Sequence, residues 1–88
     1  MPVISIISGI IIKMYFQQED HNPPHVHAIC NERSSIIYIN GDKKSEGNLK
    51  HKDLVLAESF VANHKDELLE MWTSQNFHRI KGETKYVS

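Results

Sequence analysis

The chain holds a single cysteine, Cys30, among its 88 residues. It cannot close an internal disulfide, which excludes the cross-linked scaffold of small secreted domains. It also lacks a long apolar run. The stretch from Met1 to Ile12 is apolar but has no basic leader, and Lys13 ends it well short of the roughly 20 residues a membrane span requires. A buried strand or strand pair is the expectation there, with the cytoplasm as the location. Charge of one sign is missing too. Ten basic residues face eleven acidic ones, and no lysine or arginine run supports general nucleic-acid binding. Nucleic acid therefore enters only as a substrate or through a complex. What remains is enough apolar residue, 40% of the chain, for one small core. So short a chain buries a modest share of its surface, so a protein partner or a second copy of the chain would add to its stability.

Residues 1–88 read as a single α+β domain: strands over 1–49, a helix over 50–75 and an irregular tail over 76–88. Ile4 to Ile7 is β-branched and is closed by Ser8-Gly9. From Ile10 to Phe16 the apolar residues Ile10, Ile12, Met14 and Phe16 recur at period two, with Lys13 and Tyr15 between them. Such alternation marks a strand with one buried face. Gln17 to Pro24 is polar, ends in two prolines and reads as a loop. His25 to Cys30 alternates again, Asn31 to Ser34 reads as a turn, and Ser35 to Ile39 as a further core strand. Gly41 and Gly47 bracket a polar loop whose Lys43 and Lys44 read as a solvated tip rather than a phosphate clamp.

From Lys50 to Gln75 the period changes. At about 100° per residue, Leu54, Ala57, Phe60, Val61, Leu68, Met71 and Trp72 fall within an arc of about 120°. Ser59, Asn63, Asp66, Glu70 and Thr73 lie opposite. The expected architecture is a small antiparallel β-meander packed against one long helix in the C-terminal half. A break near Asn63-His64-Lys65 is the alternative, because such a helix is long for a small domain. His64 falls at the edge of the apolar arc, and His51 lies near the helix start.

The segment Asp20-His21-Asn22-Pro23-Pro24-His25-Val26-His27-Ala28 is the candidate site. Strand alternation puts His25 and His27 on one face and Val26, Ala28 and Cys30 on the other. Matching apolar to apolar across an antiparallel pair sets Met14 against Val26, Ile12 against Ala28 and Ile10 against Cys30. The same register sets Tyr15 against His25 and Lys13 against His27. Three chemistries fit. Two imidazoles could serve as acid and base on a phosphodiester, with Lys13 and Tyr15 holding its charge, as a metal-independent nuclease requires. His25 and His27, with His21 or Asp20, could hold a metal, zinc being the candidate. Or Asp20, His21, Asn22, His25 and His27 could bind a protein partner. Against all three stands a plain structural account. Asp20 and Asn22 are turn formers, the prolines stiffen the loop, and the histidines are the solvated face of an edge strand. No cofactor is predicted.

Four stretches together carry a resemblance: the start Met1-Pro2-Val3-Ile4-Ser5, the strand Gly9 to Phe16, the segment Asp20 to Ala28, and the helix stretch His64 to Trp72. They are similar to a family of small bacterial proteins catalogued as a domain of unknown function. The histidine segment is the most specific of these motifs. The resemblance implies a cytoplasmic α+β protein whose partner is a small protein encoded by a neighbouring gene, the two suggested to form a toxin–antitoxin module. It carries over no catalytic residue. Val26 stands where the family has an aromatic, Asn31-Glu32 where glycines are common, and the tail lacks the usual Ile-x-Pro-Leu ending.

Overall fold

The computed structural model describes residues 3–14 and 23–80. Five strands form one antiparallel sheet in chain order: β1 (Val3–Ile7), β2 (Ile10–Lys13), β3 (His25–Cys30), β4 (Arg33–Tyr38) and β5 (Glu46–Gly47). Two helices follow, α1 (His51–Asn63) and α2 (Lys65–Ser74). The α+β meander matches expectation.

The turns explain the meander. Ser8 and Gly9 both take positive φ, 48° and 81°. That is the twist a two-residue hairpin between right-twisted strands needs. Asn31 does the same work between β3 and β4 at φ 59°, one of the few non-glycine residues that tolerates it. The turn there is shorter than expected, since Arg33 and Ser34 already belong to β4. At β5 the requirement is stricter. Gly47 sits at φ 138°, and a Cβ there would run into the backbone of Ser34 and Ser35. Asn48 then ties the chain down: its side-chain oxygen accepts from the Ser34 N–H at 3.0 Å, and its own N–H donates to the Ser34 carbonyl at 2.9 Å.

The register between β2 and β3 is Ile11 with Ile29, Ile12 with Ala28 and Lys13 with His27, as apolar matching predicts. The inner face therefore gathers Ile10, Ile12, Met14, Val26, Ala28 and Ile37, joined in one buried cluster to Ala57, Phe60 and Val61 of α1 and Leu68, Met71 and Trp72 of α2. In β1 both Ile4 and Ser5 are buried, although neighbours on a strand should alternate. A bulge between Val3 and Ser5 allows it.

The single long helix is corrected to two. His64, at φ −121° and ψ 27°, leaves the helical region, and its N–H is shared between the carbonyls of Phe60 and Val61. Its ring packs on Phe60, centroids 4.5 Å apart. The break lets α2 turn from the path of α1 while Leu68, Met71 and Trp72 stay in the apolar phase. Of the irregular tail expected over 76–88, residues 81–88 lie outside the described residues; Asn76 to Ile80 has no regular structure, yet Ile80 belongs to the core. The Ile80 N–H donates to the Ile4 carbonyl at 2.7 Å, and the buried Ser5 hydroxyl donates to the Ile80 carbonyl at 2.7 Å.

Candidate functional site

Alternation along β3 buries Val26 and Ala28 completely and leaves His25 and His27 half-buried on the opposite face. Cross-strand pairing then decides their neighbours. Lys13 stands opposite His27 on β2, while Tyr38 and Ile36 stand opposite His25 and His27 on β4. Tyr15, Asp20, His21 and Asn22, which the sequence places around the histidines, lie outside the described residues.

His25 is the centre of a ring cluster. Its centroid lies 5.5 Å from His27, 5.8 Å from Tyr38 and 5.0 Å from Trp72, all at tilted angles. Its Nδ1 lies 3.0 Å from the Pro23 carbonyl oxygen. When that nitrogen carries its proton it donates to this carbonyl, which orients the ring. Pro23 and Pro24 set this geometry. Neither has an N–H to compete, and the second proline holds the chain extended on entering β3. The Ile39 N–H donates to the Pro24 carbonyl at 2.9 Å and closes the sheet at this end.

His27 differs from its neighbour. Burial, and secondarily the charge on His25, holds its pKa below the ordinary value of 6.5. At neutral pH it is therefore an uncharged imidazole, able to accept a proton. The two histidines are thus unlike: one braced by a backbone carbonyl and two large rings, the other partly desolvated.

Tyr38 and Trp72 were not among the residues expected here. Tyr38 was within reach of the sequence. A two-residue turn at Asn31-Glu32, in place of a four-residue one, puts it opposite His25 at once. Trp72 had no such signal, because the helical period places it on the core arc and says nothing of which strand end it meets.

Isoleucines make up much of the rest of the outer face, with Ser34 opposite Ile29 and Glu46 opposite Ile36 among them. Ile6 and Ile11 pair on β1 and β2, Ile11 pairs with Ile29 on β3, and Ile36 pairs with His27. Ile6 is 50% exposed, and Ile11, Ile29 and Ile36 are partly so. Among the described residues, the helices put their buried side chains into the cluster on the opposite face, and of these Trp72 also meets His25.

Other expected positions are as follows. Cys30 is a free thiol, partly buried against the core, with the Asn31 amide 4.0 Å from its sulfur. His51 opens α1 and is exposed. His78 bonds to Glu67 at 2.7 Å, and His64 lies 4.0 Å from the same carboxylate. Among the described residues, no three histidine, cysteine or acidic side chains gather as metal ligands do. His21, the third ligand of the expected zinc site, is not among those residues. No helix among them is long and apolar enough to cross a membrane.

Residues 9–73 match the model of a domain of unknown function, DUF4160. That span is most of the chain, and the chain belongs to this family. Comparison with curated proteins and with solved structures gave no match.

Proposed function

We propose that this member of the DUF4160 family acts by holding a second protein on the open face of its sheet, as one component of a two-gene, toxin–antitoxin-like module. The observation that supports this is the outer face itself. Ile6, Ile11 and Ile29 form a row across β1 to β3 that ends opposite Ser34 on β4, with Ile36 in the next row opposite His27, and Ile6 leaves half its surface in water. Apolar area left in water costs about 25 cal/mol for each Å², which a covering partner recovers. Lys13 and His27 border the row. The partner we infer is a small protein encoded by a neighbouring gene, offering an apolar segment with a carboxylate to meet Lys13. Such a module carries with it a bacterial cytoplasmic location.

The test is co-expression with the neighbouring gene's product, followed by native mass spectrometry of wild type and of Ile6→Asp with Ile36→Asp. A defined complex is expected with the wild type. Affinity should fall by about 100-fold or more in the double variant, since each substitution removes an apolar contact and introduces a charge that must be desolvated. A complex that forms equally with both rules out this face.

One observation favours a second reading, a small metal-independent nuclease. The rings of His25 and His27 lie 5.5 Å apart, and His27 is held in its basic, uncharged form. On RNA, His27 would take the proton of the 2′-hydroxyl as its oxygen bonds to phosphorus, and His25 would give a proton to the departing 5′-oxygen. Lys13 would offset charge on the phosphate. Conversion of both histidines to alanine separates the readings. Loss of RNA cleavage with the complex intact supports the nuclease, and an unchanged cleavage rate ends it.

A further inference from the structure

A groove of about 570 Å³ runs beside β4, between the loop from Gly41 to Ser45 and the junction of α1 with α2. It opens where β5 stops, since β5 pairs only with Ser35 and Ile36, and β4 continues beyond it to Tyr38. Three lysines line it from two distant parts of the chain. Lys43 and Lys44 come from the loop, and Lys65 is the first residue of α2. Against them stands one carboxylate, Glu58, a formal excess of two positive charges among the lining residues. That carboxylate is engaged, accepting from the Ser45 hydroxyl at 2.6 Å. Among the described residues, no carboxylate pairs with any of the three lysines. Like charges so gathered repel, and a bound anion relieves them.

The groove is not polar throughout. Ile37, Leu54 and Val61 lie along it, and Lys43 is held over the Tyr38 ring at 5.6 Å from its centroid. A lysine kept over a ring is partly ordered before any ligand arrives, which lowers the entropy lost on binding. We propose that this groove binds a phosphorylated small molecule with a flat, apolar body, a nucleotide in its simplest form. The phosphate lies among Lys43, Lys44 and Lys65, and the base covers Leu54 beside Tyr38. The volume is of the size that small ligands occupy. Tyr38 belongs both to this groove and to the ring cluster of His25, but the inference stands whether or not the outer face holds a partner.

The probe is adenosine 5′-monophosphate, titrated into ¹⁵N-labelled protein, with adenosine alone and inorganic phosphate as separate arms. Saturable shifts are expected at the amides of Gly41, Lys43, Lys44, Ser45 and Lys65. The monophosphate should bind about tenfold more tightly than either fragment, the amount a charge-assisted hydrogen bond contributes. Lys44→Glu and Lys65→Glu alter exposed side chains, and each should weaken binding about tenfold or more. Where either variant loses the dispersed spectrum of the folded protein, the alanine variant replaces it. Four outcomes overturn the proposal: no saturable shifts, shifts confined to His25 and His27, adenosine binding as tightly as its monophosphate, or binding unaffected by both lysine substitutions.

Discussion

Two sets of isoleucines occupy the same sheet and meet different fates. Ile10 and Ile12 are fully buried on the inner face, while Ile11, their neighbour in sequence, lies partly open on the outer face beside Ile6 and Ile29. Residue type is constant, so hydrophobicity alone cannot tell the two faces apart. What differs is the element packed on each. The inner set meets Ala57, Phe60 and Val61 of α1, which contacts β2, β3 and β4. The lesson is that β-branched residues make the strands on both faces, whereas the helices decide which face is core. Stability should therefore depend on the inner set and recognition on the outer.

The sharpest test substitutes neighbours. Ile12→Ala removes a side chain with no exposure, and the cavity cannot collapse against a helix packed on three strands. About 2–5 kcal/mol should be lost. For a domain of this size each kcal/mol is worth about 4–8 °C in Tm, so a loss of ten degrees or more is expected by differential scanning calorimetry. Ile11→Ala, one residue along, should cost less than half as much. Equal losses would mean that the outer face is covered as fully as the inner one.

Gly47→Ala probes a place where stability rests on backbone fit rather than on either face. The added methyl meets the Ser34 and Ser35 backbone, and φ 138° is strained for any other residue. The strand must shift, which disturbs the bonds of Asn48 to Ser34 and of the Leu49 N–H to the Ser35 hydroxyl. A loss of about 1–3 kcal/mol is expected in urea melts. A variant as stable as wild type would show that β5 adds nothing to the sheet.

The comparison also explains what could be read beforehand. Inner-face apolar matching is strongly constrained, so the pairing of Ile12 with Ala28 and Lys13 with His27 followed from the sequence. The helical arc was equally legible, and its predicted polar side, Ser59, Asn63, Asp66, Glu70 and Thr73, is exposed throughout. Less legible were features set by a single backbone torsion. Reading Asn31 to Ser34 as the turn moves β4 by two residues and hides the pairing of Tyr38 with His25. The break at His64 leaves the apolar phase intact, so periodicity could not separate one helix from two. The site was legible as a shared face of two histidines, and illegible wherever it depended on the direction of α2.

The smallest effect tests whether the outer face is wet throughout. His27 lies on it, yet burial and then the charge on His25 hold its pKa below 6.5. The folded chain therefore takes up a proton at His27 less readily than the unfolded chain does. Above about pH 7 the residue is neutral in both states and contributes no pH dependence. As pH falls from 6.5 towards the lowered value, the unfolded state binds more protons and stability declines. The informative quantity is a difference against a variant that lacks His27. The Tm of wild type minus that of His27→Gln should be flat above about pH 7 and fall steadily between about pH 6.5 and 5. Tenfold higher salt should shrink the part due to His25 and leave the part due to burial, because screening acts on the charge pair and not on desolvation. A difference that rises on acidification would mean that His27 is stabilised as the cation. A difference that stays flat through this range would mean that the outer face around it is as open to water as the position of Ile6.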